Sequence, residues 1–265
     1  MNYEYIHVET DGHLFILTIN RPEVMNAISP AASHEMSHAL DRFEEDNNLW
    51  VGIITGAGND AFSAGGDISV MVEAKTKEDY QMPSSGYGGI TNRTGCDKPI
   101  IAAVNGICFG GGFEVALACD ILVAAENSRF GLPEPKIGTA AVATGMHRLA
   151  REIGLKQAMA LLLTGESIDA IRGRELGLVK EVVPQGEALA AAKKLATHIL
   201  RCAPLAVRAT KQCVIGGLDY AGVPAAQQAQ EDGVFPALEE MMQSADIGEG
   251  LNAFLEKRRP EWKGR

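Results

Sequence analysis

Residues 105–114 read Asn-Gly-Ile-Cys-Phe-Gly-Gly-Gly-Phe-Glu, and their chemistry lies mostly in the backbone. Three consecutive glycines ahead of an apolar helical stretch let another group approach the main chain closely at a helix N-terminus. The N–H groups and the positive end of the helix dipole there suit an anion or a developing oxyanion. Glycines also serve where two elements pack tightly, and spacing alone leaves the two readings level. A second glycine-dense stretch, residues 55–67, contains Gly56-x-Gly58-x-x-Ala61 directly after an apolar run. That outline matches a dinucleotide fingerprint, which also requires a helix to begin there. The Phe-Ser-Ala-Gly-Gly that follows cannot start a well-formed helix, so tight turns at Gly56 and Gly58 are the better account. Two glutamates lie downstream. Glu114, in the first turn after the triple glycine, is either a partner of the helix dipole or an acid/base group. Glu134, between Pro133 and Pro135, is either a solvated turn residue or a second such group.

The elements that must hold these residues alternate between strand and helix. Residues 5–9 and 14–20 are rich in Ile, Val, Phe and Thr, with Asp11-Gly12 between them as a hairpin turn. Ser29-Pro30 reads as an N-cap and first helical position, opening a helix over 31–47 with Met36, Leu40 and Phe43 at helical spacing. Buried strands follow at 50–55, 99–104 and 121–125, with a glycine-dense turn at 106–112 and a helix at 113–119. This is an α/β class with crossover connections. Between 69 and 97 the periodicity fades, and residues 81–89 read as a mobile loop. From residue 188 only helices are expected, at 188–200, 205–215, 221–242 and 251–257. The change near residue 200 divides a core, residues 1–198, from a C-terminal helical region, residues 199–265. No repeat of 20–50 residues is visible.

Composition narrows the function classes. The 265 residues carry 24 Lys and Arg against 34 Asp and Glu, a formal charge of −10. Nucleic-acid affinity rests on phosphate neutralisation, so no nucleic-acid partner is expected. Five cysteines without a Cys-x-x-Cys pair read as reduced core thiols. His34 and His38 lie four apart on one helix but lack a third ligand, so no metal is expected. No apolar run approaches the roughly 20 residues of a membrane span, and the start lacks the pattern of a signal peptide. The expectation is a cytoplasmic protein with no membrane partner.

Seven motifs in order then resemble one family. Arg21-Pro22-x-x-x-Asn26-Ala27, Ala61-Phe62-Ser63-Ala64-Gly65-Gly66-Asp67 and Lys98-Pro99 through Asn105-Gly106 lead into Phe109-Gly110-Gly111-Gly112-Phe113-Glu114 with Ala118-Cys119-Asp120. Phe130-Gly131-Leu132-Pro133-Glu134, Leu163-Thr164-Gly165-Glu166 and the ending Ala253–Arg258 with Trp262–Arg265 complete the set. The chain resembles the crotonase (enoyl-CoA hydratase/isomerase) superfamily. The central motif and the ending are most similar to its hydratase and dehydratase members, the carnitinyl-CoA kind among them.

The resemblance implies a crotonase-like spiral of ββα units with a C-terminal helical trimerisation region, assembling as a trimer or dimer of trimers. It implies an acyl-CoA thioester substrate whose carbonyl oxygen is held by the backbone N–H groups of Gly66 and Gly111. It places Glu134 as the acid toward the α-carbon and Glu114 as the activator of water, so enoyl-CoA hydration is the leading expectation. Dehydration of a carnitinyl-CoA type or double-bond isomerisation is the alternative, and a non-catalytic RNA-binding or scaffold role a remote one. No cofactor is implied, CoA being part of the substrate. Arg21, Asn26, Ala27, Ala64, Asp67, Ile68 and Lys257 map to substrate and CoA contacts, and Met71, Tyr87 and Val142 to the acyl and water pocket. Tyr80 and Met82 are further candidates to close over the acyl chain. Two departures stand out: Ser69 occupies a position where many members place a phosphate-binding Lys, and residues 138–145 replace a glycine-richer stretch. There the N–H of Val142 is expected to help hold the water, with an added Cβ narrowing the wall.

Overall fold

The computed structural model of the chain describes residues 3–76 and 78–265. A hairpin opens it: β1 (Ile6–Asp11) turns through Gly12 into antiparallel β2 (Leu14–Ile19), with Ile6 opposite Ile19. The first long helix, α1 (Pro30–Glu45), starts where the capping signal places it, the Ser29 hydroxyl accepting the Ala32 N–H at 3.2 Å. Its Met36, Leu40 and Phe43 are fully buried against the sheet. The ammonium of Lys98 closes its other end, donating to the carbonyls of Phe43 and Asp46 at 2.7 and 2.8 Å.

Three times the chain then runs long strand, short strand, helix. The first unit is β3 (Val51–Gly56), β4 (Ala61–Ser63) and α2 (Ile68–Glu73). The second is β5 (Ile100–Val104), β6 (Ile107–Phe109) and α3 (Gly111–Ala118). The third is β7 (Ile121–Ala125), β8 (Arg129–Gly131) and α4 (Gly145–Glu152). Helix α5 (Leu155–Thr164), strand β9 (Ser167–Asp169), helix α6 (Ala170–Glu175) and strand β10 (Glu181–Val183) follow. The long strands, with three-residue β10 at one edge, join one sheet in the order β1-β2-β3-β5-β7-β10, and the other short strands a second in the order β4-β6-β8-β9. This is the ββα spiral of the crotonase fold. Because the short strands span three residues each, they carry no readable alternation, and β6 lies inside the stretch that reads as a turn.

The large sheet is covered on both faces, which is why β3, β5 and β7 are apolar at nearly every position. One face packs on α1, α3 and the smaller sheet. The other takes α7 (Ala188–Ile199), whose Ala188, Ala192 and Ala196 lie against Ile53, Ile101, Ala103 and Val123. Helix α7 thus belongs to the sheet's own layers. Beyond it come α8 (Pro204–Gly217), α9 (Val223–Glu231), α10 (Pro236–Met242) and α11 (Ala245–Leu255). The single helix expected over 221–242 is two, broken where Gly233 takes φ 72° ahead of Pro236. Helix α8 is tied to the core by charge. The Arg208 guanidinium meets the Asp97 carboxylate through Nε at 2.9 Å and Nη2 at 3.0 Å, and Lys211 meets Asp120 at 2.8 Å.

The segment expected to be a mobile loop is partly core. Residues 87–91 are buried beneath α1 and α3. Its glycines are there for close approach: a Cβ on Gly89 would stand 2.3 Å from the Ser37 nitrogen, and one on Gly88 2.5 Å from a Val115 methyl.

Candidate active site

The two glycine loops meet. Gly65, at φ 105°, turns the chain so tightly that a Cβ there would lie 2.9 Å from the Phe109 carbonyl and 3.3 Å from the Gly111 nitrogen. Ile28 pins the first loop in a parallel bridge, its N–H donating to the Gly65 carbonyl at 2.8 Å and its carbonyl accepting the Asp67 N–H at 3.2 Å. The exchange skips Gly66, whose N–H finds no acceptor among the described residues. Gly111 is the first residue of α3, so its N–H has no partner within the helix. The site therefore brings together two uncommitted backbone donors, one from each unit. The triple glycine serves packing as well: a Cβ at Gly111 would strike the Tyr87 ring at 2.4 Å, and one at Gly112 would strike Ser63 Cβ at 2.6 Å.

The two glutamates face this junction. Glu134 begins a 3₁₀ turn, Glu134–Ile137, and its Oε1 lies 3.2 Å from where a Cβ on Gly110 would sit. Its Oε2 is buried without a hydrogen-bond partner. Glu114, only 3% exposed, is held by the Gly145 N–H, which donates to its Oε1 at 2.8 Å, and by the Ala143 N–H. Burial raises both carboxyls above their ordinary range. For Glu114 it outweighs the two N–H donors, and the neighbouring Glu134 carboxylate pushes the same way, so the group titrates at about 7. Both carboxyls therefore hold a proton to higher pH than exposed glutamates do.

That shift has a consequence for stability. A carboxyl raised on folding stabilises the folded state only while protonated, so its contribution is lost as pH rises from about 4.3, its unfolded value, through about 7. Ionised Glu114 then costs roughly 3 kcal/mol. Glu114→Gln, whose amide oxygen still accepts from Gly145, is expected to melt higher than the wild type at pH 8. The two melting curves should converge at pH 5, as differential scanning calorimetry across pH would record.

The expected CoA-loop residues are placed around the first glycine loop, mostly as its scaffold. Asn26, buried at φ 55°, accepts the Arg21 N–H and donates to the carbonyls of Ala57 and Ala61 at 3.0 and 2.7 Å. Arg21 Nη1 pairs with Asp67 at 2.8 Å and donates to the Ala27 carbonyl at 2.7 Å. Ser69 donates to the other Asp67 oxygen at 2.6 Å. Against burial, which raises it, these partners hold the Asp67 carboxyl below its ordinary value. Ala27 is buried, while Ala64, Ile68 and Met71 are exposed beside the loop. Tyr87 is buried across both donors, its hydroxyl donating to the Ile28 carbonyl at 2.8 Å. Two residues stand apart. Lys257 follows α11 as an exposed residue, and no described ion pair or side-chain hydrogen bond joins it to the glycine loops. Val142 is 77% exposed and its N–H donates to Ala140 at 2.8 Å, so the N–H groups facing Glu114 belong to Ala143 and Gly145 instead. The sequence holds a signal for this, a lone glycine after the altered stretch. A Cβ there would lie 2.9 Å from Glu114 Oε1.

Comparison with known proteins identifies the family. The enoyl-CoA hydratase/isomerase family model fits residues 9–265. The chain belongs to that family. It is an enzyme, a hydro-lyase of crotonase fold. Among curated relatives, mevalonyl-coenzyme A hydratase of Aspergillus fumigatus is 41% identical over 95% of this chain and 92% of its own length. Carnitinyl-CoA dehydratase of Salmonella enteritidis is 38% identical over 99% of both. An enoyl-CoA hydratase structure from Bacillus anthracis superposes with a TM-score of 0.91 at 34% identity, covering 99% of this chain and 100% of that one. Within the family's frame no described helix is long and apolar enough to cross a membrane.

Proposed function

We propose that the protein hydrates 2-enoyl-CoA thioesters to 3-hydroxyacyl-CoA and runs the same path in reverse. The observation that carries this reading is buried Glu114 and half-buried Glu134, with its buried, unpartnered Oε2, beside a glycine junction that leaves two backbone N–H groups uncommitted. The Gly66 and Gly111 donors hold the thioester oxygen, and they count most when negative charge gathers there in the enolate-like state. Glu114 takes a proton from water as its oxygen bonds to the β-carbon. The electron pair moves onto the thioester oxygen, and Glu134 returns a proton to the α-carbon. Dehydration reverses each step, so the pair serves the chemistry named for both curated relatives. Isomerisation needs only one such group, and retention of both favours hydration. No step calls for a cofactor, CoA being part of the substrate.

The test is loss of the conjugated-thioester absorbance when the protein meets a panel of 2-enoyl-CoAs, including carnitine-like and branched acyl groups. Rapid loss on at least one member supports the reading. No loss on any member, from protein that still binds CoA thioesters, rejects it.

The assembly is proposed to be a trimer or dimer of trimers formed through the C-terminal helices. Those helices leave large apolar side chains uncovered, with Phe254 83% and Leu255 77% exposed and Leu218 and Val223 open as well. Exposed apolar surface of this extent marks an association face. Phe254→Asp with Leu255→Asp is expected to yield monomer in sedimentation equilibrium, where the wild type gives a multiple of three.

A further inference from the structure

Buried polar atoms in folded proteins are nearly always hydrogen-bonded, so one without a partner marks a place where something else binds. Among the described residues two side-chain atoms stand so, Glu134 Oε2 and the Tyr80 hydroxyl. The first is accounted for by the proton it delivers, and the second has no part in the steps above. Tyr80 ends a short 3₁₀ turn, Glu78–Tyr80, in the poorly patterned segment after α2. Its hydroxyl reaches back to within 3.5 Å of the point a Cβ on Gly66 would occupy, beside the Tyr87 hydroxyl at 3.6 Å and the Met71 methyl at 3.7 Å. The Tyr87 hydroxyl is committed to the Ile28 carbonyl. That of Tyr80 has no partner among the described residues.

Its placement within the site is one-sided. The Tyr80 hydroxyl is the atom nearest the added Cβ at Gly66, whereas the atoms nearest an added Cβ at Gly111 all belong to the Tyr87 ring. Tyr80 thus stands on the Gly66 side of the junction. Burial, with Asp67, raises its phenol, so it remains a protonated donor across the working range.

We propose that the Tyr80 hydroxyl is a third hydrogen-bond donor to the thioester oxygen, joining the N–H groups of Gly66 and Gly111. This rests on the hydratase reading and deepens it. A neutral donor in a water-poor site strengthens as charge develops on the oxygen, so it acts mainly in the transition state. It also adds a side-chain donor, open to substitution, to a pair of backbone donors that cannot be deleted singly.

Tyr80→Phe removes one oxygen and keeps the ring. Three readouts separate an oxyanion donor from a pocket wall: kcat on the best 2-enoyl-CoA, the absorption maximum of the bound conjugated thioester, and affinity for an S-alkyl-CoA thioether, which has no carbonyl. The expected result is a fall in kcat of about ten- to a hundredfold and retreat of the bound absorption maximum toward its value in water. Thioether affinity should stay within about twofold, which also reports an intact fold. A kcat within about twofold of wild type, or thioether affinity falling as far as thioester affinity, overturns the proposal. Wild-type protein that hydrates no enoyl-CoA rejects the hydratase reading itself, a result distinct from either.

Discussion

Glu134→Gln is expected to lower kcat for hydration by about three orders of magnitude while leaving KM nearly unchanged. Glutamine fills the same volume against Gly110, so the loop after β8 keeps its path. What disappears is the exchangeable proton of a carboxyl whose Oε1 lies against Gly110 and whose Oε2 is buried without a hydrogen-bond partner among the described residues. Acid/base groups contribute about 10²–10⁴-fold where they transfer a proton in the transition state, and little to ground-state binding. Glu114→Gln is expected to cost a similar amount, and the double variant little more than either single one, because the two act together in one addition of water. Their roles separate in exchange of the α-hydrogen of a saturated acyl-CoA with deuterium oxide, followed by proton magnetic resonance. Glu134→Gln should stop that exchange, and Glu114→Gln should retain much of it. The opposite result would swap the two assignments while leaving the paired chemistry in place.

Residue type and spacing alone leave each glutamate with an ordinary explanation, and only the family resemblance separates their roles. Glu114 belongs to the favoured first turn of a helix, and Glu134 sits between prolines. Their shared burial depends on β7 and β8 bringing the chain back beside α3, a packing fact with no local signature. The long strands were readable because burial on both faces makes them continuously apolar. The short strands were not, since three residues cannot show a period of two. The three ββα units escape a repeat search for a related reason: β3 and β5 begin 49 residues apart and β5 and β7 only 21 apart, so no fixed period exists. Glycine was ambiguous in the opposite way. At Gly88 and Gly89 it suggests mobility and serves burial, and at residues 110–112 it serves packing and donor exposure together. Val142 shows the limit of motif transfer. A family position eight residues after Glu134 fell on an exposed residue, and the donors to Glu114 came from Ala143 and Gly145 beyond it.

Gly111→Ala is expected to reduce kcat by about 10²–10³-fold, as losing an oxyanion donor does, although no donor is removed. The added Cβ would lie 2.4 and 2.6 Å from Cε1 and Cζ of Tyr87, closer than real carbon contacts allow. The ring has little room to yield. Its hydroxyl is bonded to the Ile28 carbonyl, and its own N–H donates to Thr91 Oγ1 at 2.8 Å. Ile28 in turn holds Gly65 and Asp67 on either side of the second donor. Pressure on the ring therefore passes through Ile28 to Gly66, and one methyl group displaces both arms of the oxyanion site. A local helix effect predicts otherwise, because alanine is a better helix former than glycine and would stabilise α3. Tyr87→Ala in the Gly111→Ala background decides between them. If the clash is the cause, removing the ring restores part of kcat on a substrate that both variants bind. If kcat falls further, Tyr87 serves catalysis independently of the space it leaves for Gly111, and the steric coupling of the two donors is wrong.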